Sequence, residues 1–295
     1  MSTPPIGFIG LGLMGGAMVG RLQDKGYALT VIANRTRTYV DAAVAGGAAE
    51  VTTAKAVAEA SDIVMLCMDT SDNVEARMRG DEGVIAGLKP GAVVIDFGTS
   101  LPGSTKSLGA EVAQAGGTLL DCPIGRTPMH AKDGLLNLMG SGDKAAFDQV
   151  KPVLDDLGEN VFHLGDLGTG HTIKLINNFY AQACANAMAE SFAIADVMGV
   201  ERQAVYDVMS AGPLKSGMMD FITAYALEGN DANLAFSIKN AAKDVGYYAQ
   251  MCTDAGVKSM MSGSTLDSLH ASIDAGRAEE FVPHQVDFFA DQFKG

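Results

Sequence analysis

The chain has 295 residues, 47% of them apolar, and a formal net charge of −14. That length exceeds what one hydrophobic core usually spans, so two domains are expected. The acidity excludes nucleic acid and anionic membranes as partners, and any anionic ligand must be held by local positive groups.

In chain order, IGFIG (6–10) reads as a buried strand and LMGGAMVGRLQDKG (13–26) as a helix ended by Gly26. LTVIA (29–33) is the next strand, and TYVDAAVAGG a helix closed by Gly46 and Gly47. DIVMLCM (62–68) and AVVIDFG (92–98) are further apolar strands; TLLDCP (118–123), LLNLMG (135–140) and NVFHLG (160–165) are shorter ones. Apolar strands separated by helices predict a doubly wound, mainly parallel sheet covered on both faces. No strand is expected beyond Gly168. A long Ala-rich helix over 172–199 carries an apolar stripe through Ile173, Ile176, Tyr180, Cys184 and Met188. Helices follow near 201–210, 217–228, 234–255, 257–275 and 285–294. The expected organisation is an α/β domain over 1–167 and an all-α domain over 168–295.

Gly10-Leu11-Gly12-Leu13-Met14-Gly15 fits GxGxxG directly after a strand and at the start of a helix, the context of a dinucleotide-binding turn. The first glycine permits the tight turn, the second a close approach of the pyrophosphate, and the third close packing of helix on strand. The free N–H groups of the helix start face the phosphates. After the second strand, where a carboxylate would bind a ribose 2′-hydroxyl, the chain reads Ala33-Asn34-Arg35-Thr36. Arg35 suits a 2′-phosphate and Thr36 adds a hydroxyl, so NADP(H) is expected over NAD(H). The simpler alternative is a surface charge at a helix start.

HExxH, GxSxG and P-loop signatures are missing, and the five histidines lack metal-ligand spacing, so no metal is expected. The four cysteines, Cys67, Cys122, Cys184 and Cys252, form no CxxC and read as reduced residues of a cytoplasmic protein. No basic flank precedes IGFIGLGLMGG, so a signal peptide is not expected. Lys174, Asn177 and Asn178 lie at i, i+3 and i+4 on one face of the long helix, where the two domains are expected to meet. A lysine beside a nicotinamide can give a proton to a carbonyl or take one from an alcohol. Taken by themselves, these residues read more simply as a snorkelling charge and interhelix hydrogen bonds. His171 reads as a structural histidine.

Four blocks, GFIGLGLMGGAM, DCPIGRTPMHAKDGLLNLMGSG, GTGHTIKLINN and NAAKDVG, resemble in order those of the β-hydroxyacid dehydrogenases, and the resemblance covers nearly the whole chain. It implies a Rossmann domain followed by a helical domain, a nicotinamide cofactor and a homodimer or homotetramer. It makes Lys174 the catalytic lysine and Asn178 its substrate-orienting partner, with Asn177 beside it. It places Thr99 at the nicotinamide ribose, Cys67 and Met68 along the cofactor, and Lys243 beside cofactor and substrate. Where the family has Ser-Gly-Gly in its substrate loop, this chain has Gly125-Arg126-Thr127, which is similar to the loop of sulfolactaldehyde reductases, in which the arginine helps bind a sulfonate. Ala181, where those reductases have serine, and the missing acidic residue after the second strand depart from that subgroup. The expected activity interconverts a short anionic aldehyde and its alcohol. A C3 sulfonate is the sharper version. A carboxylate such as 3-hydroxyisobutyrate, tartronate semialdehyde or succinic semialdehyde is the broader one. A non-catalytic NADP-binding sensor and an imine reductase are the alternatives from other classes, and Lys174 counts against both.

Overall fold

The computed structural model of the chain describes residues 3–34 and 37–294. These fall into two compact units, Met1–Lys174 and Leu175–Gly295. The division lies inside a helix, seven residues beyond the 167/168 position read from the sequence.

In the first unit the chain runs β1 (Ile6–Ile9), α1 (Leu13–Asp24), β2 (Leu29–Ile32), α2 (Thr38–Ala45), β3 (Ala49–Val51), α3 (Ala54–Glu59), β4 (Ile63–Leu66) and α4 (Ser71–Met78). It continues through β5 (Val93–Asp96), α5 (Pro102–Gln114), β6 (Thr118–Asp121), β7 (Ile124–Gly125), α6 (Pro128–Asp133), β8 (Leu136–Gly140), α7 (Lys144–Leu157) and β9 (Gly158–His163). Six parallel strands form one sheet in the order β3-β2-β1-β4-β5-β6, the doubly wound arrangement. A second sheet, β7-β8-β9, pairs β7 with β8 antiparallel and β8 with β9 parallel.

Side-chain alternation assigns each central strand to two cores. Ile6, Phe8, Val31, Met65 and Ile95 pack into one cluster with Met18 and Leu22 of α1 and Val150 and Leu154 of α7. Ile9, Ile32, Val64, Leu66 and Val94 pack into the other with Val57 of α3, Val74 of α4 and Leu108 and Val112 of α5. Because both faces are covered, the strands read as unbroken apolar runs in sequence. Two strands are additional to those read from the sequence. β3 spans three residues and β7 two, too short to show a period.

The second unit takes up α8 (Thr169–Met198) from Leu175 onward, then α9 (Arg202–Ser210), α10 (Gly217–Glu228), α11 (Ile238–Asp254), α12 (Ser262–Asp274) and α13 (Gln285–Lys294). The stretch expected as one helix from 234 is broken. A short 3-10 turn covers Ala232–Leu234 and α11 starts at Ile238 after Ser237. The helix expected from 257 starts at Ser262. The core gathers Ala185, Ala189 and Phe192 of α8 with Met219, Ile222, Val245, Leu269, Val286 and Phe289. Of the α8 stripe, Met188 is buried, whereas Ile176 and Tyr180 are 49% and 70% exposed. No helix among the described residues is long and apolar enough to cross a membrane.

Candidate active site

The glycine turn between β1 and α1 has the geometry of a dinucleotide cradle. Gly10 sits at φ +97°, and a Cβ there would lie 2.3 Å from the Cys67 carbonyl oxygen. A Cβ on Gly15 would lie 2.0 Å from the Gly10 oxygen, so α1 and β1 require glycine to approach this closely. A Cβ on Gly12 would meet nothing within 4 Å. The backbone is open to a ligand there, beside the start of α1, so these residues fit a pyrophosphate. Leu13 is 67% exposed beside this opening; Leu11 is buried and Met14 packs against the core.

The neighbouring strand ends shape the same edge of the sheet. Cys67 follows β4 and donates its N–H to Ile9 O. Burial, with the Asp96 carboxylate adding to it, pushes the Cys67 thiol up to about 12, so it stays protonated and is no nucleophile. Met68 places its sulfur 2.9 Å from the Gly10 Cβ position. Asp96, buried at the end of β5, accepts hydrogen bonds from the Gly98 N–H and the Ser100 hydroxyl, both at 2.8 Å. Those bonds fix the turn that carries Thr99. At the end of β2, Asn34 accepts from Arg77 Nη2 at 3.1 Å. Arg35 and Thr36, on which the cofactor expectation turned, lie outside the described residues.

Lys174 donates from its Nζ to the Ile124 carbonyl at 2.8 Å, which brings the ammonium to the segment 124–127. Asp121 supports this placement, a role that sequence reasoning missed. Its fully buried carboxylate accepts from Gly168 N at 2.7 Å, His171 N at 2.8 Å and the Ser141 hydroxyl at 2.5 Å. The Ser141 oxygen accepts from Gly170 N at 2.9 Å. The otherwise orphaned N–H groups at the start of α8 are thereby satisfied. His171 is buried and hydrogen-bonded through Nδ1 to Thr105, a structural position.

Arg126 differs from the expectation of a guanidinium free to receive an oxyanion. Its Nη1 donates to Leu135 O at 2.6 Å and to the Glu159 carboxylate. Its charge is therefore matched within the unit. Arg126 is also the one non-glycine residue with positive φ among those described, at 77°. It occupies a left-handed position that glycine would take without cost. The Thr127 hydroxyl is hydrogen-bonded to His130 Nδ1 at 2.7 Å, and Gly125 lies in β7.

In the second unit, Asn178 donates from Nδ2 to Asp244 Oδ2 at 2.6 Å and accepts from Asn177 Nδ2 at 3.1 Å. Asp244 Oδ1 meets Lys243 Nζ at 2.9 Å, and that ammonium also lies 5.3 Å from the centre of the Tyr247 ring. The buried Asp244 carboxylate thus ties Asn178 to Lys243, both of which the family resemblance singles out in the sequence. The link through Asp244 was not read from the sequence. Among the described residues no group of three or more His, Cys, Asp or Glu side chains is placed to hold a metal ion.

Residues 5–165 match the profile of the NAD-binding domain of 6-phosphogluconate dehydrogenase, and residues 168–280 that of the NAD-binding domain of NADP-dependent 3-hydroxyisobutyrate dehydrogenase. The chain is 31% identical to 2-hydroxy-3-oxopropionate reductase of Escherichia coli, over 73% of each chain. It is 30% identical to 2-(hydroxymethyl)glutarate dehydrogenase of Eubacterium barkeri, over 82% of this chain and 80% of that one. Its fold is similar to that of Mycobacterium tuberculosis 3-hydroxyisobutyrate dehydrogenase solved with L-serine, with a TM-score of 0.84, 22% identity, and coverage of 97% of this chain and 99% of that one. A dinucleotide cradle, a lysine held at a strand-end loop and these matches over both units have one common meaning: the chain belongs to the β-hydroxyacid dehydrogenase family and is an NAD(P)-dependent oxidoreductase.

Proposed function

We propose that the chain interconverts a short carboxylate-bearing semialdehyde and its hydroxyacid, with Lys174 as general acid and base. The observation that carries this reading is the 2.8 Å hydrogen bond from Lys174 Nζ to Ile124 O, which sets a proton donor at the loop 124–127. The bound nicotinamide supplies or accepts the hydride. Lys174 gives a proton to the carbonyl oxygen in reduction and removes it from the hydroxyl in oxidation. Asn178, its amide fixed by Asp244, orients the substrate hydroxyl in this reading, and Lys243, whose charge Asp244 matches, serves as an N–H donor to cofactor and substrate. Gly125, Arg126 and Thr127 offer main-chain N–H groups and a hydroxyl to the substrate's anionic end.

The Arg126–Glu159 pair favours a carboxylate over a sulfonate, because the guanidinium charge that suits a sulfonate is already matched through Nη1. The names of the relatives point the same way, since 2-hydroxy-3-oxopropionate and 2-(hydroxymethyl)glutarate are carboxylates. NADP(H) is preferred over NAD(H) in this reading, on the Asn34-Arg35-Thr36 run with no carboxylate after β2. Self-association through α8, whose Ile176 and Tyr180 are exposed, completes it.

The test is NADPH oxidation with tartronate, methylmalonate and succinic semialdehydes, sulfolactaldehyde and a cyclic imine. Turnover of a carboxylate semialdehyde is expected. Turnover of sulfolactaldehyde alone would replace the carboxylate with a sulfonate. Tight NADPH binding with no turnover of any would leave a binding protein.

A further inference from the structure

NADP(H) adds a 2′-phosphate to the dinucleotide, a group carrying about −1.5 to −2 charge at neutral pH. A chain with net charge −14 has to meet that charge locally. The C-terminal end of β2 lies on the same edge of the parallel sheet as the glycine turn after β1, the edge where such ligands bind. Two described arginines stand beside it. Arg37 is committed: its Nη2 pairs with Asp41 at 2.8 Å and with Glu50 at 2.9 Å. Arg77, delivered by the last turn of α4, is not. It donates from Nη2 to Asn34 Oδ1 at 3.1 Å and makes no ion pair among the described residues. One of its five N–H groups is spoken for by a neutral acceptor, and its charge is uncompensated.

We propose that Arg77 is a specificity-determining residue that binds the 2′-phosphate of NADP(H), held in place by Asn34. The assignment rests on the NADP(H) reading above. A guanidinium suits the task because its planar fork can give two parallel hydrogen bonds to phosphate oxygens. It comes from a helix, 43 residues downstream of Asn34, so it is independent of the Arg35-Thr36 pair.

The experiment measures calorimetric binding of 2′,5′-ADP and of 5′-AMP to the wild-type protein and to Arg77→Gln, Arg77→Lys and Arg35→Gln. Arg77→Gln is expected to weaken 2′,5′-ADP at least tenfold and leave 5′-AMP unchanged, with Arg77→Lys in between. The NADPH-to-NADH ratio of kcat/KM should fall in parallel. Equal losses for both nucleotides would mean that Arg77 only supports the fold near Asn34, and the proposal fails. If the wild type prefers 2′,5′-ADP and Arg35→Gln removes that preference while Arg77→Gln does not, Arg77 is excluded and the NADP(H) reading stands. If the wild type binds 5′-AMP as well as 2′,5′-ADP, both fall together.

Discussion

Lys174 and Ile124 are joined by a hydrogen bond from ammonium to main-chain carbonyl, which ties the ammonium to the backbone of the loop. No substitution at position 124 can remove that acceptor, and the lysine itself is the vulnerable partner. Lys174→Ala is expected to lower kcat by at least about 10²–10⁴-fold, the usual worth of a positioned acid or base. NADPH affinity should be essentially unchanged. Stopped-flow reduction and fluorescence titration separate the two effects. A loss confined to NADPH binding would contradict the assigned role.

Asp121 holds the start of that lysine's helix. Asp121→Ala leaves buried N–H groups at Gly168 and His171 without an acceptor, at about 1–3 kcal/mol each. Asp121→Asn keeps one acceptor oxygen. Urea unfolding should rank wild type above Asn and Asn above Ala, and kcat of the folded fraction should follow that order while NADPH binding does not.

Arg126 combines an unfavourable backbone angle with an ion pair, and their magnitudes decide the outcome of replacing it. The left-handed conformation costs about 1–2 kcal/mol for a non-glycine residue. The pair with Glu159, a residue 53% exposed, is worth about 0–1 kcal/mol. Arg126→Ala keeps the strain and loses the pair, whereas Arg126→Gly loses both. Gly should therefore be the more stable variant by about 1 kcal/mol in chemical denaturation. KM for a carboxylate semialdehyde should move little in either variant, and a large rise would return the guanidinium to the substrate.

Asp244 serves two partners at once. Asp244→Asn retains an acceptor for Asn178 but removes the countercharge of Lys243, and Asp244→Ala removes both. Because the carboxylate is buried, Ala should lose about 1–3 kcal/mol of stability. Steady-state kinetics should show kcat/KM falling in the order wild type, Asn, Ala.

Stability should depend on pH through Tyr27 and Asp156. Burial first, then the hydrogen bond to Asp156, raises the Tyr27 phenol from 10.0 to about 12. Its stabilising share is complete below pH 10 and is lost as pH rises through 12. Burial would raise the Asp156 carboxyl, but hydrogen bonds from Lys25 and Tyr27 outweigh it and the group titrates below its ordinary value. That share is present above the ordinary aspartate pKa and is lost as pH falls through the depressed one. Tyr27→Phe should flatten the alkaline limb of unfolding free energy against pH, measured in urea. An unchanged alkaline limb would assign it to other groups.

The features legible in the sequence were the local ones. GxGxxG between β1 and α1, the apolar runs of β4 and β5 and the glycine that ends α8 are all set by neighbours a few residues apart. What stayed hidden depends on distant partners. Asp121 takes its meaning from Ser141, Gly168 and His171, and Asp244 from Asn178, 66 residues away. Arg126 read as a spare cation because its carboxylate, Glu159, belongs to another strand. α7 went unread in part because it contains Pro152, a residue that ordinarily argues against a helix interior.

The acceptor for the first N–H groups of α8 and the acceptor for its lysine belong to one run of chain, separated only by Cys122 and Pro123. That run works as a ruler of fixed length laid alongside the opening turns of the helix. Lengthening or shortening it by a single residue would put helix start and ammonium out of step. Indels between 121 and 124 should therefore silence the enzyme where point changes at 122 merely weaken it.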